Sequence, residues 1–335
     1  MTSHLPEAAR QFLTCNLGGG WHCETLTGGG NNRLFVVTSA QGQRAVLKTY
    51  PQTDGSESER FRRETSTLSF LAKQGEASVP RLLASDAENG FLLLEHVSGV
   101  RPLRVGMTDI KAAAAFLKRL HKLSRLVEAH ELGPAAENCL QESALIDQLQ
   151  ARLSKLREEG LPSLQPYLEK SIAPLLEGLL KRHARLVKRD GLQGNQARKG
   201  LATLSPSDFS LHNALRCPDG RVVFLDFEYF GWDDPVKLVA ETVWHPGMNL
   251  TCRQRKALED ILLPIYSEDS DFAFRLARCR PLYLLRWAFI VLNEFLPKRW
   301  EARLRAGWTG NQAEILDGQL RKARCLINAA RKMAL

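Results

Sequence analysis

Residues 201–240 read LATLSPSDFSLHNALRCPDGRVVFLDFEYFGWDDPVKLVA, and the rest of the chain is interpreted outward from this stretch. Asp208 and Asn213 are separated by four residues on a segment whose Ser and Pro content predicts a loop. A turn then leads into residues 221–225, an apolar, β-branched run typical of a short buried strand. Asp226 closes that strand, where a carboxylate needs a cation, a metal ion or several backbone N–H groups as partners.

This order of groups matches what phosphoryl transfer from ATP requires. One carboxylate accepts the proton of the attacking hydroxyl, while an amide oxygen and a second carboxylate hold Mg²⁺ on the phosphates. The pattern assigns Asp208 to the first role, and Asn213 and Asp226 to the second. The alternative is an unrelated loop followed by an ordinary strand cap, because Asp-x-x-x-x-Asn also occurs by chance.

The composition is that of an ordinary globular protein. Of the 335 residues, 44% are hydrophobic and 25% are charged, and the length allows two domains with cores of their own. No apolar run approaches the ~20 residues that cross a bilayer. The first residues lack the apolar core of a secretory signal, and the seven cysteines include no C-x-x-C pair. We therefore expect a cytoplasmic protein with reduced thiols, no structural zinc site and no membrane partner.

The basic net charge raises the question of an anionic partner. A net charge of +9 and a pI near 9.3 suit nucleic acid, a membrane surface or an anionic ligand. However, the densest basic runs, at 181–185 and 321–324, have apolar residues interleaved at helical spacing, which favours solvated helix faces. Aromatic residues form no stacking series near them. We expect no nucleic-acid partner, and the sequence predicts no oligomeric state.

Upstream, three β-rich segments at 21–26, 33–38 and 44–49 predict an antiparallel meander. The turn between the first two is nearly free of side chains, so its backbone N–H groups can approach a polyphosphate. The candidate nucleotide-binding residues of this turn are Gly28, Gly29, Gly30 and Asn31. A plain hairpin is the alternative, because the glycine run lacks the G-x-G-x-x-G order.

Lys48 and Glu64 are predicted to pair. Strand alternation directs the Lys48 side chain over the surface that the meander covers. Residues 56–74 show helical periodicity, and Glu64 falls on the same stripe as the apolar Phe61. An acid on the buried face of a helix needs a cation, and Lys48 is the natural partner. The alternative is a solvated Glu64 among three neighbouring arginines.

A second hairpin, at 81–97, completes the predicted sheet. Its return strand is apolar up to Glu95 and ends before Ser98-Gly99. The exit of this strand can present backbone groups to an adenine ring, which makes Glu95 and Val97 candidate nucleotide-binding residues.

Beyond Thr108, a predicted N-cap, the pattern is helical almost throughout. The predicted helices are 143–159, 164–189, 235–244, 253–266, 272–278, 282–296 and 312–332. We therefore predict an α+β architecture with two lobes. A small antiparallel-sheet lobe at 1–98 binds nucleotide, and a large, mainly helical lobe at 99–335 carries the catalytic loop and the substrate site.

The joint order of these motifs resembles the aminoglycoside phosphotransferase and choline kinase family, which has a bilobal, protein-kinase-like fold. The resemblance spans residues 21–240. It implies ATP and Mg²⁺ as cofactors and transfer of the γ-phosphoryl group to a hydroxyl of a small molecule. The implied acceptors are a sugar, an amino sugar, an aminoglycoside-like compound or an amino alcohol.

By this likeness, Lys48 contacts the α- and β-phosphates with Glu64 as its partner, and the turn Gly28–Asn32 covers the phosphates. Asp208 is the catalytic base, and Asn213 and Asp226 bind the metal ion. Glu228 matches an acid often found two residues further on, at a second metal ion. Asp234 matches the Asp-Pro segment of the family and is predicted to cap the next helix.

Three features depart from the family pattern. Pro206 replaces a His that supports the catalytic loop, Leu238 replaces an Asp that ties the following helix, and the glycine turn matches the family loop only loosely. The first two departures motivate the alternative of a nucleotide-binding pseudokinase with a regulatory or scaffolding role. A protein kinase is disfavoured, since the His-Arg-Asp, Asp-Phe-Gly and Ala-Pro-Glu motifs are absent from the sequence.

The sequence does not predict the acceptor or a preference between ATP and GTP. Polar residues among the later apolar helices are candidates for acceptor contacts, although satisfied contacts inside the core explain them as well. These candidates are Glu241, His245, Arg286, Trp287, Asn293 and Glu294.

Overall fold

A five-stranded antiparallel sheet, in the order β1-β2-β3-β5-β4, organises the N-terminal part of the chain. Its strands are β1 His22–Leu26, β2 Arg33–Thr38, β3 Arg44–Thr49, β4 Leu82–Asp86 and β5 Phe91–Glu95. The computed structural model describes residues 5–26, 32–50, 55–189, 201–305 and 310–334. The predicted meander and second hairpin are both present, because short β-branched and apolar runs between turns favour strands.

The two faces of this sheet have different partners. Helix α1 (Glu7–Leu17) packs its buried side chains against one face, where Leu47 lies in the apolar core. Lys48 is the next residue of β3 and points to the opposite face, because side chains alternate along a strand. Helix α2 (Gly55–Lys73) brings Glu64 to Lys48 on that second face.

A short hairpin from much later in the sequence groups with this sheet. Strand β7 (Ala214–Arg216) pairs antiparallel with β8 (Val222–Phe224), and the backbone N–H of Phe224 donates to the carbonyl of Ser78 at 2.8 Å. The first compact unit therefore comprises Met1–Arg104, Leu126–Gly133 and Leu211–Gly231. The lobe boundary after residue 98 stays a prediction.

Helices dominate the second compact unit, which comprises Val105–Arg125, Pro134–Ser210 and Trp232–Leu335. They are α3 Met107–Leu123, α4 Glu142–Glu159, α5 Gln165–Tyr167, α6 Ala173–Arg189, α7 Pro235–Trp244, α8 Cys252–Leu262, α9 Phe272–Leu292, α10 Pro297–Arg305 and α11 Gln312–Ala334. A π-helical segment, Leu168–Ile172, joins α5 to α6, and strand β6 (Thr203–Ser205) pairs with β9 (Gly231–Asp233). None of the described helices is long and apolar enough to cross a membrane.

The predicted break between helices 272–278 and 282–296 is wrong. Helix α9 runs unbroken from Phe272 to Leu292 with Pro281 inside it. A proline in a helix interior removes one backbone donor and disfavours the helix. Here α9 is buried over most of its surface, and the packing of α4, α7 and α11 around it outweighs the local cost. Helix α10 was not predicted.

The predicted N-cap at Thr108 is also wrong. Helix α3 begins at Met107, and the residue before it, Gly106, donates its backbone N–H to Oδ2 of Asp109 at 2.6 Å. The side chain of Asp109 thus satisfies the donor at the helix start. The aspartate in the first turn was the usable signal.

Candidate active site

Lys48 is the centre of a buried cluster of charges in the first unit. Its ammonium lies 2.7 Å from Oε2 of Glu64 and 2.7 Å from Oδ1 of Asp226, and 3.7 Å from Oε2 of Glu228. The predicted contact between Lys48 and Glu64 is therefore present. Burial by itself lowers the pKa of Lys48, but the surrounding carboxylates, Glu64 foremost, outweigh it and hold the pKa well above its usual value.

Glu64 accepts hydrogen bonds from three residues of the first unit. Besides Lys48, it accepts a hydrogen bond from the hydroxyl of Tyr50, and the backbone N–H of Phe227 points to its Oε1 at 3.4 Å. The Tyr50 ring also faces the Lys48 ammonium, 5.2 Å from the ring centroid. Tyr50 was not predicted as a site residue, although it follows Lys48 by two positions and alternation directs both side chains to one face.

The β7–β8 hairpin brings Asn213 and Asp226 together. Ala214 stands opposite Phe224, and the backbone N–H of Leu225 donates to the carbonyl of Asn213 at 2.8 Å. Asn213 and Asp226 therefore lie at the same open end of the hairpin. Asp226 has a positive φ of 70°, a conformation that disrupts regular strand pairing and turns the chain after β8.

Glu228 lies deeper than Asp226 and has partners of its own. Its side chain is 2% exposed, against 39% for Asp226. Nδ2 of Asn32 donates to its Oε2 at 2.6 Å, and the guanidinium of Arg60 lies 3.5 Å from its Oε1. Asn32 was predicted only as the last residue of the turn that covers the phosphates, and Arg60 was not predicted as a site residue. Nothing in their local patterns indicates these contacts with Glu228.

The cluster suits a divalent cation. Three carboxylates against two cations leave one negative charge in excess, and ligand oxygens of Glu64, Asp226 and Glu228 lie within 4.8 Å of one another. Oδ1 of Asn32 is buried and has no hydrogen-bond partner among the described residues, so this amide oxygen is a further candidate ligand for a cation. Carboxylate and amide oxygens are the ligands that Mg²⁺ prefers.

Asp208 belongs to the second unit and is partly exposed. Its side chain is 38% exposed, and its Oδ1 lies 2.8 Å from Nε2 of His245, which is buried. His245 had been predicted only as a candidate for acceptor contact. The two residues are 37 positions apart, so no local pattern connects them.

The loop before Asp208 is tied down without the His that the family has at position 206. The backbone N–H of Asp208 donates to the carbonyl of Pro206 at 2.9 Å. The side chain of Ser207, whose φ is 64°, donates to the carbonyl of Ala136 at 3.3 Å. Lys237 lies 3.3 Å from the Ser207 hydroxyl and forms a buried ion pair with Asp233 at 2.6 Å. These contacts hold the loop in place where the family has the supporting His.

The remaining predicted nucleotide contacts lie in the glycine turn and at the end of β5. The turn residues Gly28, Gly29, Gly30 and Asn31 lie outside the described residues. The backbone N–H of Glu95 donates to the carbonyl of Arg81 at 2.9 Å, and its carboxylate pairs with the Arg81 side chain. Val97 follows β5 in irregular backbone. Their contact with an adenine ring stays a prediction.

Most candidates for acceptor contact have internal partners. Arg286 pairs with Glu241 and, at 2.7 Å, with Glu137. Burial lowers the pKa of Arg286, but these carboxylates outweigh it, Glu241 foremost, and raise the pKa above its usual value. The indole of Trp287 donates to the carbonyl of Glu241 at 3.1 Å. Glu294 pairs with Arg303 at 2.7 Å, and Asn293 follows the end of α9.

A second group of side chains that could hold a metal ion lies in the helical unit and consists of Glu142, His183 and Cys279. Nε2 of His183 lies 3.0 Å from Oε2 of Glu142 and 3.9 Å from the Cys279 sulfur. The guanidinium of Arg278 forms an ion pair with Glu142, so this carboxylate already has a cationic partner within the protein. Burial also raises the pKa of the Cys279 thiol. This group is best described as a buried ion-pair network.

The antiparallel sheet of the first unit and the helices of the second have counterparts in solved kinases. Choline kinase LicA from Streptococcus pneumoniae aligns with a TM-score of 0.60 at 15% identity, over 98% of this chain and 100% of its own. An ethanolamine kinase from Plasmodium vivax aligns with a TM-score of 0.58 at 13% identity, over 96% of this chain and 84% of its own. The aminoglycoside phosphotransferase APH(2'')-IIa, solved with gentamicin, aligns with a TM-score of 0.57 at 16% identity, over 96% of both chains. These likenesses define a protein-kinase-like α+β fold, as predicted.

The model of the phosphotransferase enzyme family (APH) matches residues 22–272, and the chain belongs to this family. The resemblance inferred from the sequence is thereby confirmed, and so is the expectation that the protein is a phosphotransferase. No curated protein sequence matches the chain. Among similar structures, APH(2'')-Ib was solved with ADP bound and LicA in complex with AMP.

Proposed function

We propose that this protein transfers the γ-phosphoryl group of ATP to a hydroxyl of a small molecule. The contact of the Lys48 ammonium with both Glu64 and Asp226 supports this proposal most strongly. A lysine this deeply buried stays charged only because carboxylates surround it. Its position is thereby fixed, while Asp226 stays partly exposed and available to a ligand.

In the proposed reaction, Lys48 binds the α- and β-phosphates and Glu64 holds the lysine in place. Asn213, Asp226 and Glu228 would hold Mg²⁺, which offsets negative charge on the phosphates when bound. The oxygen-rich set around Glu228 supports this assignment; it includes Oδ1 of Asn32, which has no hydrogen-bond partner in the described part of the chain.

Asp208 is the proposed catalytic base. As the acceptor oxygen forms its bond to the γ-phosphorus, the bond from that phosphorus to the leaving ADP oxygen breaks. The hydroxyl proton passes to the Asp208 carboxylate. The partial exposure of Asp208 supports this role, since the carboxylate must be reached by the acceptor.

The proposed acceptors are amino alcohols, sugars, amino sugars and aminoglycoside-like compounds. Choline, ethanolamine and gentamicin appear in the names of similar proteins. The backbone around Glu95 and Val97 and the turn Gly28–Asn31 are proposed to bind the nucleotide. We also propose a cytoplasmic location, because the seven cysteines are scattered along the sequence and include no C-x-x-C pair.

The test is ADP release from Mg-ATP by the wild type, Asp208→Asn and Asp226→Asn. The acceptor panel comprises aminoglycosides, choline-like amines, free sugars and amino sugars. We expect release that depends on one acceptor class and falls at least ~100-fold in both variants. Nucleotide binding without turnover for any acceptor would favour the pseudokinase instead.

A further inference from the structure

We infer that His245 is a positioning residue for the catalytic base: it donates a hydrogen bond from Nε2 to Asp208 and fixes the orientation of that carboxylate. This inference rests on the role proposed for Asp208. It reassigns His245, which the sequence had suggested only as a contact to the acceptor.

The protonation of His245 follows from its second hydrogen bond. The backbone N–H of Gly247 lies 3.0 Å from Nδ1 of His245 and can only donate, so Nδ1 carries a lone pair. A neutral imidazole has one N–H, which must then be on Nε2, 2.8 Å from Oδ1 of Asp208. The main chain thus selects the tautomer that donates to the base.

The imidazole ring also has a fixed place. His245 follows helix α7, and its ring packs edge-on against Trp287, with centroids 4.4 Å apart and planes at 71°. Trp287 is itself held by the hydrogen bond from its indole to the carbonyl of Glu241. The side chain of His245 is 5% exposed, so water does not compete for Nε2. Rotation of the donor away from Asp208 would break contacts on both sides of the ring.

This arrangement has one consequence for the base. The hydrogen bond from His245 restricts rotation of the Asp208 carboxylate, so the proton-accepting group is aligned before the acceptor molecule binds. A residue that acts this way changes kcat more than the KM of either substrate.

The location of this donor is specific to the tertiary structure. The family has a His two positions before the base, where this chain has Pro206. Here a His reaches the base from a position 37 residues later in the sequence. The family His supports the loop backbone, whereas His245 contacts the carboxylate itself.

The kinetic test compares His245→Gln with His245→Asn. The amide nitrogen of Gln can take the place of Nε2, whereas the shorter Asn cannot reach Asp208. We expect His245→Asn to lower kcat by ~10- to 100-fold with the KM of Mg-ATP within about twofold, and His245→Gln to recover most of the loss. His183→Asn, at another buried His of the same unit, controls for general loss of packing.

A double-mutant cycle with Asp208→Asn separates action through Asp208 from other effects. If His245 acts through the base, adding His245→Asn to Asp208→Asn lowers the residual rate by less than about threefold. A full additional loss in that background would overturn the proposal. So would a rise in acceptor KM at unchanged kcat, which would make His245 an acceptor contact.

A measurement without turnover keeps the proposal separate from the proposed function. Imidazole nitrogen NMR of the ¹⁵N-histidine-labelled full chain distinguishes a protonated nitrogen from a bare one. We expect Nε2–H and bare Nδ1 for His245, and a changed Nε2 signal in Asp208→Asn. A protonated Nδ1 with a bare Nε2 would overturn the inference even if the protein is an active kinase. The expected tautomer in a protein that turns over no acceptor would instead count against the proposed function alone.

Discussion

The Lys48 ammonium donates to Asp226 across 178 positions of sequence, at the same distance, 2.7 Å, that separates it from Glu64. Lys48 thus links the central sheet, helix α2 and the β7–β8 hairpin within one compact unit. Because Asp226 is the more exposed of the two acids, it is the one that a metal ion can reach without opening the core.

Replacing Lys48 is expected to lower both the free energy of unfolding and the turnover rate, and the two losses have different causes. In Lys48→Met, Glu64 stays buried without its cation, which costs about 3–5 kcal/mol in the free energy of unfolding. Adding Glu64→Gln removes the unpaired charge and should recover much of that loss. Turnover should not recover, since the phosphates still lack Lys48. Urea unfolding and ADP release, measured on the single and double variants, check both parts, and a double variant with restored turnover would contradict the role of Lys48.

Replacing Asp226 is expected to weaken metal binding. Asp226→Asn keeps the shape of the side chain but removes one negative charge from the set with Glu64 and Glu228. We expect the affinity for Mn²⁺ in the presence of ADP, measured by electron paramagnetic resonance, to fall at least ~10-fold. Asp219→Asn is the matched control, since Asp219 lies in the turn of the same hairpin and pairs only with Arg221 among the described residues. Equal losses in both variants would argue against a metal site at Asp226.

Asp234 is expected to stabilise the helical unit in two ways. Its Oδ1 accepts from the backbone N–H of Val236 at 2.8 Å, which confirms the predicted helix cap, and it pairs with Arg275 at 2.6 Å. Asp234→Ala loses both interactions and should lower the free energy of unfolding by about 2–4 kcal/mol. Asp234→Asn keeps a capping oxygen and should lose about half of that. Indistinguishable urea midpoints for the two variants would contradict a capping role.

The network around Glu142 is expected to make stability depend on acid pH. Burial alone raises the pKa of Glu142, but the hydrogen bond from His183 and the guanidinium of Arg278 outweigh it and hold the pKa below its usual value. A carboxyl whose pKa is lower in the folded state contributes stability above its unfolded pKa. That stability is lost as the pH falls through the folded pKa.

Glu142→Gln should therefore be less stable than the wild type at pH 6 by about 1–3 kcal/mol. The difference should shrink as the pH falls below ~4.5, where the unfolded carboxyl begins to protonate. Urea unfolding of both proteins between pH 6 and pH 3.5 checks this. Glu177→Gln, on an exposed i,i+4 pair with Lys181, is the control. A stability difference that is constant with pH would rule out the ionised carboxylate as its source.

Local patterns in the sequence predict the sheet and the pairing of Lys48 with Glu64, whereas the cap at Asp234 followed from the family resemblance. Strand alternation and helical periodicity depend on neighbours two to four positions away, so they indicate which face each side chain occupies. A charge placed on a buried face then requires an opposite charge, and few candidates existed. Tyr50 followed from the same alternation and could have been predicted with Lys48.

Only the tertiary structure decided which distant residues complete these local features. The contact of Lys48 with Asp226, that of Asn32 with Glu228 and the bond from His245 to Asp208 all join segments far apart in sequence. Such contacts depend on how whole elements pack, and no periodicity along the chain records that packing. The unbroken helix through Pro281 shows the same principle, because burial on several sides outweighs a local preference that is readable from the sequence.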